Sequence, residues 1–174
     1  LIEVGPRISD ISSDIFRVLP GVKFDIGDSW QAEAAFLYNK VETVNFGSNF
    51  VSADALREAL VSSDPATAYN IFGAGLGINS PSVLDGLRVN HLRRAESELR
   101  MFDIKAAGDL YELPGGTVAL AVGVETAKTE SSDIGDSLSM ANKIIASGGT
   151  SNAGSRSRDA GYAELMIPII GEDN

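Results

Sequence analysis

Residues 102–128, FDIKAAGDLYELPGGTVALAVGVETAK, carry two strand patterns that meet at a tight turn. In the first arm Phe102, Ile104, Ala106, Gly108 and Leu110 share one parity, and Asp103, Lys105, Ala107 and Asp109 share the other. That is the period of two expected from a strand with one apolar and one polar face. In the second arm Val118, Leu120, Val122 and Val124 alternate with Thr117, Ala119, Ala121, Gly123 and Glu125. Leu113-Pro114-Gly115-Gly116 lies between them, a proline with φ preset followed by glycines that accept positive φ, so the chain reverses there. Arms of about ten residues exceed the usual soluble strand of about five or six and suit a tilted membrane strand of about 9–11.

Working outward, Asp14 to Ile26 alternates, with Phe16, Val18, Pro20, Val22, Phe24 and Ile26 on one face and Arg17, Lys23 and Asp25 on the other. Pro20 removes a ladder donor and predicts an edge strand or a bulge. Gly27-Asp28-Ser29 is a short reversal, and Trp30 to Val44 alternates again, with Trp30, Ala32, Ala34, Phe36 and Tyr38 opposed to Gln31, Glu33, Ala35, Leu37 and Asn39. Upstream, Leu1 to Ile8 reads as a short strand and Ser9 to Asp14 as a polar turn.

Periodicity then stops from about residue 45 to 93, too long for a structureless loop in a compact domain. Ser52 predicts a helix cap ahead of Ala53, Leu56, Ala59 and Leu60, with Leu56 and Leu60 on one face. Asp64-Pro65 and Ser80-Pro81 each put a capping side chain before a proline at a first helical position. Strand pattern resumes near Arg94, with a β-bulge near Met101 needed to bring Leu99 and Met101 into phase. A second, glycine-rich excursion covers about 129–155, Ser157 to Ile170 reads as a last strand, and Gly171 to Asn174 as a reversal. In that strand Gly161, Ala163, Leu165, Ile167 and Ile169 oppose Arg158, Tyr162, Glu164 and Met166. Short turns thus alternate with long excursions along a chain expected to be one domain.

Composition narrows the function classes. A formal charge of −10, with five lysines among 14 cations, argues against a nucleic-acid surface, which needs clustered Lys and Arg. No cysteine occurs, so disulfides and thiolate metal sites are excluded. No run approaches the ~18 apolar residues of a membrane helix, as is equally true of barrel strands. His91 beside Arg93 and Arg94 is the sole histidine and has no ligand-spaced companions, so no metal site is predicted. Gly73-Ala74-Gly75-Leu76-Gly77 lacks the spacing of a phosphate loop, and Asp133, Asp136 and Ser137 lack the alternation of a calcium loop. Without GxSxG, and with loop carboxylates such as Glu96 and Glu98 in no constellation, neither an enzyme nor a cofactor is expected.

The segments GPRISDISSDIFRVLPGVKFDIGDSWQAEAAFLYN, ALREALVSSDPATAYNIFG, LYELPGGTVALAVGVE and RDAGYAELMIPII resemble, in wording and order, barrel segments of TonB-dependent outer-membrane receptors. The most specific pieces are Leu113-Pro114-Gly115-Gly116 with the small-residue strand to Glu125, and Ala163-Glu164-Leu165 with Pro168 three residues on. The resemblance implies an all-β fold of antiparallel, up-and-down transmembrane barrel strands, about six here, with short helices in a long loop. It also implies energy-coupled uptake of a scarce nutrient (an iron chelate, a vitamin or an oligosaccharide) at the bacterial outer membrane. No segment matches the family's N-terminal plug or its TonB box, and the end lacks a terminal aromatic strand. An internal barrel fragment is therefore expected, whose TonB partner would engage a missing N-terminal part.

On this reading Val118, Leu120, Val122 and Val124 face lipid, Trp30, Phe36 and Tyr38 are membrane-interface aromatics, and the excursions lie on the outer surface. Glu33, Lys105, Arg158 and Glu164 would line a polar lumen or touch a ligand. The alternative is a soluble β-sandwich ligand-binding domain, in which the same apolar parity forms a core between two sheets.

Overall fold

A computed structural model describes residues 2–72 and 76–169. The described chain is mostly antiparallel β-sheet, 62% strand and 14% helix, which makes it a β protein with helical insertions. The strands are β1 (Ile8–Val18), β2 (Gly21–Ile26), β3 (Trp30–Val51), β4 (Arg88–Leu113), β5 (Gly116–Gly135) and β6 (Asn152–Met166). Three short helices, α1 (Ala53–Val61), α2 (Pro81–Leu87) and α3 (Ser137–Met140), lie between them. All six strands belong to one sheet, ordered β1-β3-β4-β5-β6, with β2 also paired to β3. The sheet is open. Two sheets packed face to face, as the sandwich alternative requires, are not formed among the described residues.

β1 and β2 form one arm in a single register. Gly21 faces Ala35 and Ile26 faces Trp30, Phe36 N–H donates to Pro20 O at 2.9 Å, and the Ser13 and Thr43 hydroxyls meet at 2.9 Å further along. Pro20 thus sits in an edge arm, where it omits one bond without shifting the pairing. The polar turn expected at Ser9 to Asp14 is instead part of β1, because a strand at an edge tolerates hydroxyls and carboxylates on both faces. The short strand expected at Leu1 to Ile8 is a 3-10 turn over Ile2–Val4.

Both short turns form as read. Gly27 has a φ of 66° in the first, and Pro114-Gly115 makes the second, followed by Gly116 at 131°. The excursions are shorter than the sequence indicates. β3 continues to Val51, β4 already begins at Arg88, β5 runs to Gly135 and β6 starts at Asn152, since neighbouring long strands supply hydrogen-bond partners where the side chains no longer alternate. The β6 assignment ends at Met166, short of the expected Ile170. β4 runs as one strand through Met101, where the bulge is expected, and Asn49 in β3 has a left-handed φ of 61°.

The chain divides into two compact units. The first comprises Leu1–Asp14, Glu42–Glu96 and Ser132–Ala153, and it holds the main hydrophobic cluster of Val4, Val51, Ala59, Leu84 and Leu87, with Leu56, Tyr69 and Ile145 against it. Far from being loose, the two excursions form a core together. Ser52 caps α1 by accepting from Ala55 N–H, and its backbone bridges to Ile144. Ile145 N–H donates to Val51 O at 2.9 Å, Ala53 N–H donates to Lys143 O at 2.8 Å, and Lys143 pairs with Asp54 at 3.0 Å. Ser80 caps α2 with Pro81 at the first position, as read. Asp64-Pro65 starts a turn rather than a helix, its carboxylate accepting from Ala66 N–H at 2.9 Å. Ala59, not Leu60, joins the core, and Leu60 stays exposed.

The second unit comprises Ile15–Val41, Ser97–Ser131 and Gly154–Asn174, and consists of strand arms and their short turns.

Candidate functional site

The second unit presents a sheet with two chemically different faces. Val22, Phe24 and Ile26 lie opposite Ala34, Ala32 and Trp30. Directly paired residues project to the same side, so these six share a face, and the three on β2 are 44–56% exposed. Gly108 on β4 faces Trp30. Its parity partners Phe102 and Ile104, both exposed, carry the apolar face onto a third strand. On the other side Lys23 lies opposite Glu33 and Asp25 opposite Gln31.

The aromatic residues singled out by the sequence behave differently from one another. The Trp30 indole covers Gly108 and donates from Nε1 to Asp109 O at 3.1 Å, which fixes its polar edge. Phe36 is 41% exposed, opposite Pro20 on the edge arm. Tyr38 meets the Phe16 ring edge-on at a centroid distance of 6.1 Å, and its hydroxyl donates to the Glu98 carboxylate at 3.1 Å. Glu98 in turn pairs with Arg100.

The four charged residues expected on a polar face do not converge on one point. Glu33 sits between Lys23 at 3.2 Å and Lys105 at 3.6 Å, a rung of charge across β2, β3 and β4. Arg158 pairs with Glu125 across β5 and β6. Glu164 shares a shallow depression with Ala107, Asp109 and Met166 and joins neither pair. Lys23 and Glu125 complete these rungs, and the sequence signal for them is their alternation parity. On β6 the expected faces hold. Tyr162 covers Gly123 on the side of Glu125 and Arg158, while Gly161 approaches Val124 on the other. Asp159, on that second side, is held by the Thr126 hydroxyl at 2.7 Å. Of the four valine-face residues expected against lipid, Val118 is a correction: it is fully buried, whereas Val124 is 56% exposed. Burial of Val118 follows from its place two residues into β5, beside the turn that Pro168 covers.

No protein-family model and no curated protein matches this chain.

The first unit holds the residues most suggestive of chemistry, and their geometry is structural. His91 Nδ1 lies 2.8 Å from Ser139 Oγ and 3.2 Å from Asp136 Oδ2. A nucleophilic relay places the imidazole between hydroxyl and carboxylate, one on each ring nitrogen. Here both meet Nδ1, and the Ser139 hydroxyl donates straight to Asp136 at 2.8 Å. Asp136 is the cap of α3, accepting from Leu138, Ser139 and Leu92 backbone N–H groups. Burial pushes its carboxyl up, but the hydrogen bonds from Ser139 and Leu92 outweigh burial and hold it at about 2. Asp133, read from the sequence with Asp136, instead takes both guanidinium contacts of Arg93, at 2.7 and 2.6 Å. Glu3 is a second strut: its carboxylate accepts from Asn79 and from Ile78 N–H, which lowers its pKa.

Among the described residues no three His, Cys, Asp or Glu side chains gather as a metal site, and no helix is long and apolar enough to cross a membrane, a criterion that does not bear on strands. A groove between α1 and α2 is lined by Ala55, Glu58, Ala59, Thr67, Val83 and Leu87. Of the glycine-rich stretch Gly73 to Gly77, residues 73–75 lie outside the described residues, as does the reversal expected at 171–174.

Proposed function

We propose that this chain is a wall segment of a TonB-dependent receptor in the bacterial outer membrane, acting in energy-coupled uptake of a scarce nutrient rather than in catalysis. The observation that carries this reading is the exposed apolar face of the second unit, where Val22, Phe24, Ile26, Phe36, Phe102 and Ile104 are all open to the surroundings on three adjacent strands. A water-soluble surface rarely keeps so continuous an apolar patch. Lipid is a solvent that suits it, because an outward apolar band backed by a polar interior is how barrel strands divide their residues.

The opposite face fits the interior role. Glu33 with its two lysines, and Arg158 with Glu125, are charged rungs of the kind a water-filled or plugged lumen accommodates. The first unit, with its helices and its own core, supplies the ligand-capturing surface in this account. TonB would act through a part of the receptor beyond these residues, and the ligand's class is left at nutrient chelate, vitamin or oligosaccharide.

Protease treatment of intact cells making the parent protein tests the orientation. Cleavage in residues 62–79 is expected with the Gly27 and Pro114 turns protected. Cleavage confined to those two turns contradicts the reading.

A further inference from the structure

We propose that the groove between α1 and α2 in the first unit binds a small organic cation, an ammonium carried on a compact apolar body. The inference goes beyond the transport reading and stands on that unit alone, so neither depends on the other. The room in the groove arises from side-chain size. Ala55 and Ala59, four apart on one face of α1, line one wall, and Gly86 on α2 lines the other. A Cβ at Gly86 would meet nothing within 4 Å. A glycine inside a helix costs stability against alanine, and here it leaves open volume. The groove measures about 460 Å³, within the roughly 300–1,000 Å³ of small-molecule sites. Its walls are set before any ligand arrives. Ala59, Val83 and Leu87 are buried, Tyr69 N–H donates to Ala59 O at 2.9 Å, and the Ser62 and Thr67 hydroxyls pin the adjoining turn, 2.7 Å from each other. A preformed site loses little to ordering when it is filled.

Charge selects the occupant. Among the described residues the one ionised side chain lining the groove is Glu58, which is exposed and makes no ion pair. The cations nearby are already engaged: Arg57 and Lys143 by Asp54, and Arg88 by Asp85. An anionic ligand would therefore meet a carboxylate with no cation to offset it, whereas an ammonium completes the pair. The hydroxyls give little direction of their own, because Ser62 and Thr67 bond each other and Ser82 meets Ser80 at 3.0 Å. No aromatic ring among the described residues lines the groove, so the flat stacking face that suits a sugar is missing. An apolar trough with a single carboxylate at its rim matches a hydrocarbon body that ends in positive charge.

The test titrates the full chain, kept monodisperse in buffer or in a zwitterionic detergent, with three probes that share one ring and differ in charge. They are cyclohexylmethylammonium, cyclohexylmethanol and cyclohexanecarboxylate, and the amide shifts of Ala59 and Val83 report occupancy. The ammonium is expected to bind about three-fold more tightly than the alcohol, the modest gain of an exposed ion pair, with the carboxylate weakest. Glu58→Gln should erase the difference between ammonium and alcohol. Gly86→Leu, which fills the groove, should weaken both several-fold. Gly86→Ala, which the helix favours, should weaken them less and keeps the test open if leucine unfolds the helix pair. The inference is overturned if the ammonium moves neither amide, if the carboxylate binds as tightly as the ammonium, or if filling position 86 in a folded chain leaves binding unchanged. None of these readouts involves a membrane, so failure here leaves the transport reading standing.

Discussion

The indole of Trp30 packs against Gly108 on the neighbouring strand, and a Cβ at position 108 would collide with its Cγ and Cδ2 and lie 2.7 Å from the Ser29 carbonyl oxygen. The glycine is therefore a seat for the only tryptophan, and the Nε1 bond to Asp109 O locks the ring into it.

Gly108→Ala is expected to unseat that ring. Neither the Ser29 backbone nor the indole can move aside freely, so overpacking should cost about 1–3 kcal/mol. Trp30 emission shifting toward that of solvated indole, with a lower denaturant midpoint, checks this. An unchanged spectrum and midpoint would show that the strands separate easily.

Leu87→Ala tests the core that joins the excursions. Leu87 is 2% exposed among Val4, Val51 and Leu84. Removing its side chain should destabilise the first unit by about 2–5 kcal/mol, read as lost hydrogen-exchange protection in residues 53–61 and 81–87.

The cap at Ser52 offers a smaller, local effect. Its hydroxyl accepts from Ala55 N–H at 3.2 Å. Ser52→Ala should cost about 1 kcal/mol and fray the first turn of α1, visible as faster amide exchange at Ala55 with little change at α2.

Much of this architecture is legible in the sequence. Alternation at Val22, Lys23, Phe24, Asp25 and Ile26 predicts the two faces because a strand projects successive side chains oppositely. Gly27, Pro114 and Gly116 predict the turns because their backbones favour the required φ values, and Ser52 and Ser80 predict the caps by side-chain chemistry. What eluded the sequence is set by pairing across distance. β3 reaches Val51 and β4 starts at Arg88 because partners are present, whatever the local pattern. The union of the excursions depends on Ser52 meeting Ile144, two residues with no mutual signature. The seats of Trp30 on Gly108 and Tyr162 on Gly123 likewise follow from register, although isolated glycines inside strands are a hint of close approach.

The depressed pKa of Asp136 predicts an acid limb in stability. Its folded value of about 2 lies below the ordinary 3.8, so the unfolded chain takes up the proton first. The stabilisation, about 1–2 kcal/mol, is present above the ordinary value and is lost as pH falls through it toward 2. Asp136→Asn, which keeps part of the cap, should flatten that limb. A urea midpoint that falls equally in both proteins between about pH 5 and 2.5 would assign acid sensitivity elsewhere.

The central claim is that the face carrying Trp30 meets lipid, and that residue is the only tryptophan in the chain. Its fluorescence in vesicles whose acyl chains carry bromine is the direct measurement, because bromine quenches only at near contact. The account predicts strong quenching by the brominated chains and weak quenching by aqueous iodide. Emission unaffected by bromine but quenched by iodide, from a chain that stays monomeric in detergent-free buffer, would contradict it.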